Sequence, residues 1–266
     1  MMNEIIRELN KMGIYAEVET KIDNGVTKVG LSLSREETAR VRPCIWKDSF
    51  KGDTPLEIAL DISEWFSDLD VPTFDPTISI SKDFILDHLY IGLQRTSEED
   101  IVKQPSEFEG IEEYLYVRID DEASYKLKPE LMEKVGITLF QAWNGAYDNT
   151  CGTSVIKTMA EEMGVPAEMF EGMPLQIIVT NRNKWRGASA VLNKEHLRAW
   201  LDERDIKNTK FFMLPSSIHE VILLPYDEDV DLEGLSAMVK EINATQVEPE
   251  ERLADRAYVM EVEQWD

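Results

Sequence analysis

The sequence predicts an α+β fold, with largely antiparallel sheet(s) and helices packed on one face. Three observations carry that expectation. Apolar runs of strand length come in groups set off by turn signals, amphipathic helical stretches come in groups between them, and the regular β-α-β alternation of a parallel sheet is missing.

Taken in order, Ile5, Ile6, Leu9 and Met12 recur at three-to-four spacing, which predicts a helix over 3–12 that Gly13 ends. Residues 14–20 and 26–33 alternate as strands around Asp23-Asn24-Gly25. Asn-Gly is a strong hairpin signal, because both residues tolerate the positive φ of a tight turn. Residues 41–46 are expected as a third strand. Residues 55–66 read as a helix: Thr54 is placed to cap it, Pro55 suits its first turn, and Leu56, Ile58, Leu60, Ile62, Trp65 and Phe66 supply an apolar face. These elements make an N-terminal α-β-β-(β)-α unit over residues 1–72.

Pro72 and Pro76 mark a linker at 71–77, and residues 73–112 are expected as an acidic linker and helical segment, with a helix over 83–93 and a polar loop over 95–109. Residues 113–266 then form a C-terminal α+β domain. Its strands are expected at 114–119, 175–180, 187–192, 211–214, 221–224 and 257–262. Its helices are expected at 129–135 (ended by Gly136), 138–147, 154–163, 194–201 and 232–243. The 175–180 and 187–192 strands turn back at 181–184, and the 211–214 and 221–224 strands meet at a Pro215-Ser216-Ser217 corner.

Charge is the outlier. The chain holds 52 acidic and 28 basic residues, a formal net of −24. Such a field repels nucleic acid and anionic membranes and favours basic partners. The acid is concentrated: residues 61–113 hold 14 acidic and 3 basic residues, and residues 226–266 hold 13 and 3. One reading is two solvated faces that keep the protein soluble. The sharper reading is a surface that imitates a phosphate backbone and occupies a basic groove on another protein. Cys44 and Cys151 share no C-x-x-C spacing and fit free thiols in a reducing cytosol. The first residues lack the apolar core of a signal peptide, and no run approaches the ~20 apolar residues that span a bilayer. A cytoplasmic protein is expected.

Several side-chain groups are candidate sites. Ser216, Ser217, His219 and Glu220 place hydroxyl, imidazole and carboxylate close in sequence, the parts of nucleophilic hydrolysis. Along a strand, Ser217 and His219 share a face while Glu220 points away, so Glu220 cannot orient that imidazole, and no G-x-S-x-G elbow is present. The hydroxyls are better read as satisfying backbone groups at a corner. Cys151 would need the fold to bring it to His196 or His219 to form a thiol pair. Asp227, Glu228, Asp229 and Asp231 resemble a calcium loop without its glycine and its terminal glutamate, and are expected as a solvated acidic loop ahead of a helix and as a binding surface. Arg182, Lys184, Trp185 and Arg186 form the one basic and aromatic cluster, at a hairpin tip where exposure is expected; Arg and Trp favour binding hot spots, and a nucleotide or phosphate contact would fall here. His88, His196 and His219 show no metal-ligand spacing, so neither metal nor cofactor is expected.

Ile178-Val179-Thr180-Asn181-Arg182, Gly187-Ala188, the Leu214 to Pro225 corner, Met238 to Thr245 and the Leu253-Ala254-Asp255 to Tyr258 tail together resemble a bacterial family known only as domain of unknown function 5688. The resemblance is strongest over 136–262. It implies a bacterial or phage cytosolic protein, with members travelling in mobile elements, and it brings no activity, cofactor or catalytic residue. The resulting expectation is a non-enzymatic protein–protein interaction module that docks on a basic partner. In a phage or mobile element that partner is a nucleic-acid-binding host defence protein, inhibited by a nucleic-acid mimic. The alternative is a hydrolase using the Ser217/His219 corner.

Overall fold

The computed structural model describes residues 1–37, 42–69, 80–120 and 123–262. The expected linker at 71–77 lies outside these residues, apart from its neighbours, and so does Val41. The chain divides into two compact units, residues 1–78 and 79–266.

The first unit follows its local signals. Helix α1 (Met2–Lys11) precedes β1 (Tyr15–Asp23), β2 (Val26–Ser34), β3 (Cys44–Trp46) and α2 (Pro55–Asp68). The sheet order is β1-β2-β3, antiparallel throughout, with Tyr15 opposite Ser34 and Asp23 opposite Val26. Asn24 and Gly25 turn the hairpin at φ 49° and 76°, the left-handed values that tight hairpin turns demand. The α2 N-terminus carries a full capping box: Thr54 Oγ1 accepts from Glu57 N, and the Glu57 carboxylate accepts from Thr54 N at 3.0 Å. Both helices bury one stripe, Ile5 and Leu9 from α1 and Ile58, Ile62 and Phe66 from α2, against Leu31, Leu33 and Ile45 of the sheet.

The second unit contains two antiparallel sheets. The first holds β4 (Leu89–Arg95), β5 (Lys103–Pro105), β6 (Ile111–Arg118) and β7 (Ser124–Lys126); β4 pairs with one edge of β6, and β5 and β7 also pair with β6. The second is five-stranded, in the order β12-β10-β11-β9-β8, from β8 (Ser154–Thr158), β9 (Ile177–Asn181), β10 (Lys210–Leu214), β11 (Val221–Pro225) and β12 (Tyr258–Glu261). Helices α3 (Lys82–Asp87), α4 (Pro129–Lys134), α5 (Leu139–Thr153), α6 (Met159–Met163), α7 (Lys194–Glu203) and α8 (Leu232–Gln246) complete it. Leu93 and Ile111 of the first sheet join Val179, Phe211, Met213, Val221 and Leu223 of the second in one apolar cluster, so the two sheets share a core. Further along the same face the first sheet buries Leu89, Ile91, Leu115 and Val117 against Ala142 and Ala146 of α5. The class is α+β.

Three expected elements take another form, each for a non-local reason. The helix expected over 83–93 stops at Asp87, and Leu89–Arg95 is a strand paired along its whole length with β6. The helix expected over 154–163 begins as β8, where Val155 and Ile156 pair with β9; Thr158 then caps a short α6 through Glu161. The strand expected over 187–192 is a 3₁₀ helix, Gly187–Leu192, because β9 already pairs with β8 on one edge and β11 on the other and offers no edge to a returning strand. Residues 80–112, read from composition as linker, carry α3, β4 and β5 within the second unit.

Candidate functional site

The β10–β11 corner is stitched to the segment before β12. Ile218 N donates to Glu251 O at 2.8 Å, Ala254 N donates to Pro215 O at 3.0 Å, and Leu253 N donates to Ser216 O at 3.3 Å. Ser217 Oγ accepts from His219 N at 3.0 Å, the local turn geometry that a serine at a corner adopts. The imidazole of His219 is held at both nitrogens. Its Nδ1 accepts from Arg186 N at 3.1 Å, so the ring proton sits on Nε2, which lies 3.4 Å from Glu251 Oε1. A carboxylate therefore does reach His219, but from Glu251 rather than Glu220. Among the described residues no hydroxyl is hydrogen-bonded to the ring. Thr180 Oγ1 donates to His219 O at 2.8 Å and fixes the backbone behind it.

Those bonds tie the corner to the basic cluster, so two candidates far apart in sequence form one place. Asn181 clamps the loop, donating to Trp185 O at 2.8 Å and accepting from Trp185 N at 3.3 Å. Lys184 and Arg186 take left-handed φ values of 54° and 50°. Gly187 then passes so close to Thr180, Asn181 and His219 that a Cβ would lie 2.4–2.6 Å from their atoms. Arg182 and Lys184 are exposed, and Lys184 pairs with Glu162, which holds the Lys184 pKa above the ordinary lysine value. Trp185 and Arg186 are not at an exposed tip as expected: both are half-buried. The Arg186 guanidinium donates to Tyr114 Oη and lies 4.8 Å from the Trp185 ring, while Trp185 meets Tyr116 edge-on at 5.6 Å. The physical cause is the β4–β6 sheet, whose polar face draws the guanidinium inward.

That face is a network the sequence reading missed. Glu112, Tyr114 and Tyr116 alternate along β6, and all are buried. Lys126 lies 5.1 Å over the Tyr114 ring and pairs with Glu99 at 2.7 Å. Lys103 pairs with Glu112 at 3.3 Å. Gln94, fully buried, donates to Glu112 at 2.7 Å and accepts from Lys126 at 2.8 Å. Gly92 makes room, since a Cβ there would come within 2.5–2.7 Å of the Tyr114 ring and hydroxyl. Burial pushes the Tyr116 hydroxyl well above the ordinary tyrosine range. The period-two spacing of Glu112, Tyr114 and Tyr116 is the signal that points to this face. Lys126 and Lys103 are thus matched by carboxylates, while the Arg186 guanidinium rests on the Tyr114 hydroxyl and on aromatic rings.

The acidic loop behaves oppositely. Asp227, Glu228, Asp229 and Asp231 are exposed. Asp227 Oδ1 accepts from Asp229 N at 3.0 Å, and Asp231 caps α8 by accepting from Glu233 N and Gly234 N at 3.1 and 3.0 Å. Four acids of the 61–113 stretch are paired: Glu99 with Lys126, Glu107 with Lys194, Glu109 with Arg256, and Glu112 with Lys103. Among the described residues no such ion pair involves Asp227, Glu228, Asp229, Asp231 or Glu233. Beside them lies a concavity of about 530 Å³ with Phe212, Leu224 and Val230 on its apolar walls and Asp227 and Glu228 at its rim. Residues 79–266 carry 37 acidic and 19 basic side chains, a net of −18.

Among the described residues no imidazole is bonded to Cys151: its thiol meets Tyr147, while His196 Nδ1 lies 3.0 Å from Ser154 Oγ. Among the described residues no group of three or more His, Cys, Asp or Glu is placed to hold a metal ion, and no helix is long and apolar enough to cross a membrane.

Fold and site together define an acidic α+β protein whose second unit is organised around a Ser-Ser-x-His corner locked to an aromatic and basic loop. The chain belongs to the family of unknown function DUF5688, whose model matches residues 112–261. No curated protein and no solved structure matches the chain.

Proposed function

We propose that the protein is a non-catalytic, cytoplasmic interaction module that docks a basic protein through the acidic surface of its second unit. The observation that carries this reading is the run of exposed carboxylates from Asp227 to Glu233, without ion-pair partners among the described residues, beside an apolar concavity. Apolar walls supply contact area, and the unneutralised rim supplies steering and charge selection. The partner is a protein whose basic surface otherwise grips nucleic acid. In a phage or mobile-element setting it is a host defence protein that the acidic face inhibits.

The test is capture from bacterial lysate on the immobilised full chain at low salt, identification of the captured protein, and competition with duplex DNA. A basic nucleic-acid-binding protein released by DNA and by salt is the expected result. Combining Asp227→Asn, Glu228→Gln and Asp229→Asn weakens capture and flattens its salt dependence. Capture of no basic protein, or binding indifferent to salt, removes the reading.

A further inference from the structure

The first unit holds a second concavity, of about 480 Å³, lined by one face of α2 and by β3. Asp61, Glu64, Trp65 and Asp68 recur at i, i+3, i+4 and i+7 on that face, and Trp46 faces the same space from the end of β3, with Lys51 also lining it. The indole of Trp46 has a built seat. Gly30 lies opposite it in the strand register, and a Cβ there would stand 2.9 Å from Trp46 Cε3 and 2.3 Å from Ile45 O.

Elsewhere this chain stacks its own cations on aromatic rings: Arg186 on Trp185 at 4.8 Å, Arg204 on Trp200 at 4.1 Å and Lys210 on Tyr226 at 4.2 Å. Among the described residues no cation lies over Trp46 or Trp65, and none forms an ion pair with Asp61, Glu64 or Asp68. Two tryptophans and three carboxylates thus line one space with a single lysine. We propose that this concavity binds a guanidinium group. That planar cation stacks on indole while its fork of N–H donors reaches carboxylates, a combination that an ammonium meets less well. The group comes either from an arginine side chain of a protein or from a free small guanidinium compound. The site stands independently of the acidic loop in the second unit.

The test titrates the full chain with agmatine, with an uncharged-flank peptide holding one arginine, and with the same peptide holding citrulline, read by calorimetry and tryptophan fluorescence. Saturable millimolar or tighter binding of both guanidinium ligands is expected, with none for citrulline. Asp61→Asn combined with Glu64→Gln weakens it about tenfold or more, as does Glu64→Gln alone to a smaller degree. The Asp227→Asn, Glu228→Gln, Asp229→Asn variant binds agmatine unchanged, which separates this site from the acidic docking face. A tighter arginine peptide assigns the group to a protein side chain, and equal affinities assign it to the free compound. Absence of saturation by either guanidinium ligand, equal binding of citrulline, or binding unaltered by the Asp61 and Glu64 substitutions overturns the inference.

Discussion

Gly187→Ala is the sharpest probe of how the corner and the basic loop are joined. A methyl at this position would stand 2.4 Å from Thr180 Oγ1 and 2.6 Å from both Asn181 N and His219 O. Two of those three atoms are backbone and cannot swing aside. Ordinary contact begins near 3.4 Å, so the backbone has to yield by about 0.8 Å, at the overpacking cost of about 1–3 kcal/mol. If Thr180 rotates away instead, its 2.8 Å hydrogen bond to His219 O is lost at about 1 kcal/mol more. The expected loss is about 2–4 kcal/mol, or a fall in Tm of about 5–10 °C for a unit of this size. Urea titration and scanning calorimetry measure it, and amide exchange at Arg186 reads the site directly, because that N–H is the one bonded to His219 Nδ1. Gly152→Ala is the control. It sits near the end of α5, where a Cβ meets nothing within 4 Å, and a gain of about 0.4–1 kcal/mol is expected. Equal stability of the two variants, or an unchanged Arg186 amide, would refute the reasoning.

Asp231→Ala removes the α8 cap and is expected to lower stability by about 1 kcal/mol, whereas Asp227→Asn with Glu228→Gln, on the same loop but outside the cap, leaves the urea midpoint unchanged or raised; a loss in the second variant contradicts the assignment of those acids to the surface. Burial pushes the Glu113 carboxyl above the usual carboxylate range, against the bond from Gln104. The folded state therefore holds that proton more tightly than the unfolded one. Stability linked to Glu113 is fully present below the unfolded carboxylate value and is lost as pH rises through the raised one. Glu113→Gln is expected to stabilise at neutral pH with a gain that vanishes in acid, and a pH-independent difference contradicts it. Burial also raises the thiols of Cys44 and Cys151, the latter against a hydrogen bond from Tyr147. Both are expected to alkylate more slowly than free cysteine at neutral pH, and mass-resolved labelling that finds either one faster contradicts the burial assignment.

The parts of this protein legible in its sequence are those set by residues close along the chain. Asn24-Gly25 dictates a hairpin because no other short pair takes two positive φ values so readily. Thr54, Pro55 and Glu57 dictate a helix start, because cap, ring and carboxylate each act within one turn. The α+β class, the β10–β11 corner and the family membership were equally readable, since they rest on such runs. Tertiary structure decided the rest. Residues 89–95 and 154–158 are strands because β6 and β9 offer them edges, and residues 187–192 are not a strand because β9 has no edge left. The same holds for the site. His219 and Arg186 are 33 residues apart and meet only because β9 and β11 are neighbours, and Glu251 reaches the imidazole only because the segment before β12 is laced to the corner. Strand pairing is a choice among distant partners, whose free energy depends on which edges are already taken, and no local pattern of residues encodes that.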